Sequence, residues 1–510
     1  MALARTLAVA LAGLDGRVVE VECDIAGGLP GITFTGRADS SVVESRDRLR
    51  AAVVNSGIEW PNRKITVALL PADVPKSGAR FDVAIAVAVL AAAGQIPTEP
   101  ITGTAWIAGL GLDGRLRSVT GVLPAVLAAR GRHVRRVVVA TANAAEAALV
   151  TGVDVRVADT LGDIVAALRG DGPPLANGAP VDAEPDRPGA PDLADVAGQI
   201  GAKRALEIAA AGGHHLYMVG SPGAGKTMLA ERLPGLLPPL SDEAALEVTA
   251  VHSVAGLLDE HARLVRRAPM QAPHHTATMA ALVGGGANLA RPGAISLAHH
   301  GVLFLDEASE FAPSSLDALR QPLESGFVVL HRAGGTVRYP ARLQLVLATN
   351  PCPCARRASE CVCVAQAKRR HTQRLSGPLM DRIDLRVQVE PVPRADLIDP
   401  AAHRETSTVI AARVASARAA AEQRWRTTRW RLNGEVPGSL LRSAPWLLDR
   451  RTLRPVEQWL ERGVLSARGF DRVLRLAWTI ADLAGRAAPS AQDVSEALFF
   501  RTGQVDSWAA

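Results

Sequence analysis

Leu216-Tyr217-Met218-Val219 is a short apolar run that leads straight into Gly220-Ser221-Pro222-Gly223-Ala224-Gly225-Lys226-Thr227, followed by a helical stretch over Met228–Leu233. Strand, glycine-rich turn and helix in that order form the phosphate loop, and they commit the middle of the chain to a parallel α/β sheet. The glycines let backbone N–H groups turn inward around phosphates, and the helix N-terminus adds its partial positive charge. In this reading Lys226 reaches the β/γ oxygens of ATP, and Thr227 ligates Mg²⁺. Only five of the 57 basic residues are lysine, so a lysine inside a motif is seldom there by accident.

Further along, Gly301-Val302-Leu303-Phe304-Leu305-Asp306-Glu307 is an apolar strand ending in two carboxylates. Asp306 suits a second Mg²⁺ contact, and Glu307 suits polarisation of the attacking water, a pairing that favours hydrolysis over mere binding. A third strand, Leu343–Ala348, ends in Thr349-Asn350, where a polar tip can orient that water. Arg382 follows in Met380-Asp381-Arg382-Ile383-Asp384. Its guanidinium can neutralise a transferring phosphoryl group, or simply pair with Asp381 or Asp384.

At 510 residues the chain is too long for one core. Residues 1–168 read as an α/β or α+β domain, beginning with Val19, Val21, Cys23 and Ile25 alternating against Glu20, Glu22 and Asp24. Residues 169–191, rich in Pro, Gly, Asp and Ala, read as an exposed linker. Residues 192–394 alternate strand and helix, and 395–510 read as helical, with long stretches at His403–Arg424 and Val464–Gly485. The longest apolar run, Val83–Ala93, falls short of the roughly 20 residues that span a bilayer. With no cleavable leader pattern either, the expectation is a cytoplasmic protein. The net charge of +6 rests on an Arg-rich background and is weak grounds by itself for a nucleic-acid partner.

The phosphate loop, Ser296–Glu307, Ala348–Cys354, Leu375–Asp384 and Leu465–Arg475, taken in order, resemble the AAA+ ATPases, and in particular the magnesium-chelatase-like YifB/ComM branch. The resemblance covers essentially the whole chain. It implies an AAA+ core with a C-terminal helical lid, preceded by a domain with the fold of the Lon protease domain. It makes Asn350 the first sensor, Arg382 a finger entering the neighbouring subunit's site, and Arg468 (less readily Arg475) the second sensor. It also implies a hexameric ring that translocates on DNA and promotes branch migration. The alternative is a chelatase-like or MoxR-like motor that remodels a protein partner. Met279–Arg291 and a hairpin at Phe327–Tyr339, turning at 333–335 and carrying His331, Arg332 and Arg338, correspond to inserts of that branch. Facing a pore, those cations would hold a phosphate backbone; otherwise they are incidental surface charge. At the places where Lon carries its Ser–Lys dyad stand Arg80 and Leu123, with Lys76 and Ser77 on a loop nearby, so no peptidase activity is expected.

Five cysteines, an odd number, argue against a disulfide framework. Cys352, Cys354, Cys361 and Cys363 are close enough in sequence to wrap one tetrahedral Zn²⁺, or to be reduced thiols of an ordinary loop. The pairs His214-His215, His274-His275 and His299-His300 read as structural or pore-loop residues, because neighbours on a strand point apart. Trp425-Arg426-Thr427-Thr428-Arg429-Trp430-Arg431 suits stacking on single-stranded nucleic acid, but reads better as a helix end packed into the lid.

Overall fold

The computed structural model describes residues 2–36, 39–180, 191–286, 290–332, 335–354, 356, 360–394, 396 and 404–502, and the account below concerns these. The first strands are β1 (Ala2–Ala12) and β2 (Asp15–Ala26), paired antiparallel from Ala2↔Ile25 to Ala12↔Asp15. With β3 (Gly31–Thr35), β4 (Lys64–Leu70), β5 (Thr104–Ile107), β6 (Arg136–Ala140), β7 (Asp154–Ala158) and β8 (Ala176–Asn177) they form a mixed sheet in the order β8-β7-β6-β5-β1-β2-β4-β3. Val19, Val21, Cys23 and Ile25 are buried while the intervening acids are half-buried, as the alternation requires. Helix α1 (Asp82–Ala92) is buried at every residue and covers one face; α2 (Val122–Gly131) packs on the other.

Two expectations shift here. The strand read as Trp106–Leu110 stops at Ile107, and Gly109–Leu110 turns away to pair with Leu116–Arg117. Within the stretch read as linker, Ala176 and Asn177 pair with Val157 and Arg156 at the sheet edge, while 181–190 lie outside the described residues.

The second sheet contains β9 (Leu216–Val219), β10 (Met270–Gln271), β11 (Val302–Leu305), β14 (Gln344–Thr349) and β15 (Leu385–Gln388), all parallel, in the order β10-β11-β14-β9-β15. β9, β11 and β14 are buried at every position, which is why they read as near-continuous apolar runs, interrupted only by Gln344 and Thr349 at the ends of β14, rather than as alternations. β12 (Phe327–Arg332) and β13 (Gly335–Pro340) form the expected hairpin, with turn residues 333–334 outside the described residues. Helices α3 (Ile200–Gly212), α4 (Lys226–Leu236) and α5 (Asp242–Ala255) flank the sheet, and α6 (Ala365–Gln373) follows β14.

The C-terminal part is helical: α7 (Ser407–Trp425), α8 (Arg450–Glu461), α9 (Ala467–Leu483) and α10 (Ala491–Thr502). α7 begins at Ser407 on the side-chain cap of Thr406, and His403 lies outside the described residues. Ile410, Val414, Val473, Leu476 and Val494 share one apolar core with α3, α4 and a face of the sheet. Trp425 is fully buried against Trp446 and Trp478, donates to Asn433 Oδ1 (2.9 Å), and has Arg424 beside it, stacked on Trp478 and paired with Asp482. The Trp425 end of that aromatic–basic stretch therefore packs into the C-terminal helices.

The two sheets meet through α5. Ser253, near its end, donates to the carboxylate of Glu146, and its carbonyl accepts from Gly121 N (3.1 Å). Glu146 also accepts from Leu123 N (2.8 Å), and Arg80 is buried next to it with Nη2 on Thr120 O (3.0 Å). The end of α5 thus packs beside Arg80 and Leu123. No helix among the described residues is long and apolar enough to cross a membrane.

Candidate nucleotide site

Because β11, β14 and β9 are adjacent and parallel, their C-terminal tips deliver Asp306-Glu307, Asn350 and the Gly220 turn side by side. Such strand ends are where parallel sheets bind ligands. Gly223 (φ +76°) and Gly225 (φ +93°) are left-handed, a conformation a side chain would strain, and the space around each Cβ position is open. Lys226 is buried at the start of α4, and its Nζ donates to Gly220 O (2.7 Å), Ser221 O (3.1 Å) and Asn350 Oδ1 (3.1 Å). Burial lowers its pKa, and the carboxylates of Asp306 and Glu307 oppose that shift. Gln199 props the loop from behind, its Nε2 donating to Ala224 O (3.0 Å) and Glu390 O (2.5 Å).

Thr227 Oγ1 donates to Asp306 Oδ2 at 2.7 Å, while Glu307 N donates to Asp306 Oδ1 at 2.9 Å. A hydroxyl and a carboxylate oxygen in contact at the mouth of a phosphate loop form a hard-oxygen pair that fits Mg²⁺. They would hold the ion, which supplies charge neutralisation to a bound triphosphate. Glu307 is left-handed (φ +50°), a strained setting of about 1–3 kcal/mol that stands its half-exposed carboxylate clear of the strand. His275 Nδ1 lies 3.3 Å from Glu307 Oε2. One histidine of a His-His pair gave no sequence signal for this contact.

Arg382 is not gathered with these groups. It precedes β15, whose Leu385 pairs with Leu216 at the beginning of β9, whereas the phosphate loop follows Val219 at the other end. Three residue steps of strand, about 10 Å, separate the two ends, so Arg382 stands away from its own chain's loop. Its guanidinium pairs with Glu324 and Pro378 O (2.5 Å), not with Asp381 or Asp384. Asp384 is taken by Arg472 Nη1 (2.5 Å), and Arg472 Nε donates to Asp381 O (3.1 Å). Arg468 is exposed one turn earlier on α9, and Arg475 is largely buried one turn later. The helix carrying both sensor candidates is thus bonded to the Arg382 turn.

His299 and His300 correct the expectation that neighbouring histidines diverge: both Nε2 atoms lie on Glu247 Oε2, at 2.9 and 3.0 Å. They occupy a turn, with His300 at φ +55°, not a strand. Glu247, His299 and His300 have the spacing of a metal site. Yet His299 Nδ1 accepts from Arg342 N (3.1 Å), which leaves the hydrogen of the neutral ring on Nε2, where a metal would need a lone pair. The trio is a hydrogen-bond clamp holding α5 to the start of β11. On the hairpin, His331 bonds Thr336 (3.0 Å), Arg338 stacks on Phe327 and Arg332 is exposed. The Sγ atoms of Cys352, Cys354, Cys361 and Cys363 all lie within 4.8 Å of one another.

Parallel sheet, phosphate loop, acidic strand tip and a C-terminal helical part define a magnesium-chelatase-like, AAA+-type protein. The family models for magnesium chelatase, subunit ChlI, match residues 192–397, for subunit ChlI of Mg-chelatase residues 21–143, and for the ChlI C-terminal part residues 404–501. A Mycobacterium tuberculosis protein, Rv2897c, is 52% identical over 502 residues, covering 98% of this chain and 99% of its own. YifB of Salmonella typhimurium is 41% identical (98% and 97% covered), and the competence protein ComM of Haemophilus influenzae is 40% identical (98% of each). The chain belongs to the YifB/ComM family of magnesium-chelatase-like proteins. Members of the wider family are generally ATPases that use ATP and Mg²⁺.

Proposed function

We propose that the chain is an ATP-hydrolysing motor that works as a homohexameric ring in the cytoplasm and moves DNA, promoting branch migration in recombination or transformation. The convergence of Lys226, Thr227, Asp306 and Asn350 within hydrogen-bond distance, with Glu307 beside them, carries the reading. Lys226 and the loop N–H groups bind the phosphates, Thr227 and Asp306 hold Mg²⁺, and Glu307 draws the proton from the attacking water while Asn350 orients it. Arg382 completes the neighbour's site, with Arg468 as second sensor. The distance of Arg382 from its own loop favours action in trans. DNA as substrate is supported by full-length similarity to a competence protein and by exposed cations such as Arg332 on the hairpin.

In this reading residues 1–168 form a Lon-like domain without peptidase activity, 169–191 connect it, 192–394 are the AAA+ core and 395–510 the lid. The chelatase relationship leaves a protein-remodelling motor as the second reading. Phosphate release measured with single-stranded, forked and four-way DNA separates them. A motor on DNA shows stimulated hydrolysis and binding that weakens steeply with salt. Hydrolysis indifferent to every DNA, with one protein partner recovered in its place, supports the remodeller.

A further inference from the structure

The four cysteines lie between β14 and α6, beyond the nucleotide site itself. Cys352 is buried and the other three are half-buried, with Sγ separations of 3.0 Å (Cys352–Cys354), 3.4 Å (Cys352–Cys361) and 3.7 Å (Cys354–Cys361). All four sulfurs fall within 4.8 Å of one another. A tetrahedron of thiolates around one ion, with metal–sulfur bonds of about 2.3 Å, has an edge of about 3.8 Å. An iron–sulfur cubane spreads its thiolates around a much larger core. The quartet therefore has the dimensions of a single-ion site.

Apolar packing does not explain why the thiols gather. Val362 and Val364 are 79% and 67% exposed, and of the loop's described cysteines only Cys352 enters the interior. Four thiols gathered with little apolar burial around them have the setting of a metal staple, whose binding supplies local folding energy.

We propose that Cys352, Cys354, Cys361 and Cys363 bind one Zn²⁺, and that the ion holds Asn350 and the segment after Glu307 in position for hydrolysis. Cys352 lies two residues beyond Asn350, and α6 begins two residues beyond Cys363. From α6, buried His371 places Nε2 3.1 Å from both Asn350 O and Ser309 Oγ. Just after α6, Arg374 Nη1 donates to Ser309 O (3.0 Å) and Glu310 Oε2 (2.8 Å). The segment after the loop is thereby bonded to Asn350 and to the turn that follows Glu307. An ion shared by Cys352 and Cys363 fixes the distance from Asn350 to the start of α6; without it that closure has to be met from chain entropy. The coupling rests on the ATPase reading; the metal site does not.

The test begins with metal analysis of full-length protein purified without chelator. One zinc per chain is expected, lost in the Cys361→Ser/Cys363→Ser double variant. Absence of zinc from folded wild-type protein, or iron in its place, overturns the site. Should the double variant misfold, Co²⁺ added to metal-stripped wild type tests the same four ligands. Strong visible absorption of a tetrahedral Co²⁺–thiolate centre supports the site, and its absence overturns it. A zinc-selective chelator in excess Mg²⁺ then tests the coupling, with a fluorescent ATP analogue reporting binding. Analogue binding should hold within a few-fold while phosphate release falls on the order of tenfold, and Zn²⁺ should restore it. Unchanged release after zinc removal overturns the coupling. Failure of the zinc-loaded protein to bind the analogue refutes the ATPase reading and leaves the metal count standing.

Discussion

Lys226 Nζ donates to Asn350 Oδ1 across 3.1 Å, so the residue proposed to grip phosphate and the residue proposed to orient water already touch, although 124 positions separate them in sequence. Their roles should come apart on substitution. Lys226→Ala removes charge-assisted contacts and should weaken ATP binding by about 10- to 100-fold, the equivalent of roughly 1.5–3 kcal/mol. Asn350→Ala should leave binding within a few-fold and cut hydrolysis by roughly 100-fold. Glu307→Gln should bind normally and hydrolyse about 100- to 10,000-fold more slowly. Fluorescent-nucleotide titration beside single-turnover hydrolysis checks all three. Equal loss of binding in all three would refute the division of labour.

The pairing of Arg382 with Glu324 makes the second prediction. If Arg382 serves a neighbour, Arg382→Ala and Glu307→Gln are each nearly inactive alone. Mixed subunits should regain activity, because some interfaces then contain both intact groups. Glu324→Gln should leave nucleotide binding unchanged and lower hydrolysis several-fold, by freeing the guanidinium from its aim. Mixed rings confirmed by sizing that show no recovery would rule out the finger in trans.

The phosphate loop, Asp306-Glu307 and the Asn350 strand tip were legible because each is a local pattern, an apolar run broken by residues with one chemical use. Parallel order then forces their tips together. His275, Gln199 and Glu324 were not legible, since each acts through a contact between elements remote in sequence and none has a distinctive neighbourhood. The structural role of His299 and His300 was legible, but their convergence on Glu247 was not: both stand in a turn, with His300 at positive φ, and turn geometry of this kind is invisible in residue order. In the first domain the alternation of β2 was plain, while the break after Ile107 was hidden by continuous hydrophobicity.

His215 should make the protein acid-sensitive. Burial lowers its pKa from 6.5 to about 4, and its Nδ1 accepts from Leu345 N (3.0 Å). Below pH 6.5 the unfolded chain takes up a proton that the folded ring refuses. Stability is therefore complete above the ordinary histidine range and falls as pH drops from about 6.5 towards about 4, by roughly 1 kcal/mol per pH unit. His215→Asn keeps an acceptor for Leu345 N and cannot titrate. Melting temperatures taken across that window should fall less steeply in the variant. Parallel pH profiles would mean that some other group carries the acid response.

Glu146 joins the first sheet to α5, and its removal should be costly for reasons that can be separated. Its carboxylate accepts from Leu123 N and Ser253 Oγ, and its charge lies near buried Arg80, whose pKa burial pushes down to about 10. Glu146→Ala strands the Leu123 N and Ser253 Oγ donors, at roughly 1–3 kcal/mol each, takes one of the two acceptors of Asn143 Nδ2, and leaves the guanidinium without a counter-charge. Ser253→Ala removes one donor and leaves the carboxylate its other partners, so it should cost about 1 kcal/mol. Thermal melting should rank Glu146→Ala well below Ser253→Ala, with proteolysis between the first domain and the core accelerated in the former. Because neither Arg80 nor Leu123 can act as nucleophile or amine base, loosening α5 should not release peptidase activity: casein stays intact with either variant. Equal melting temperatures for both variants would show that the carboxylate does not bind the domains together.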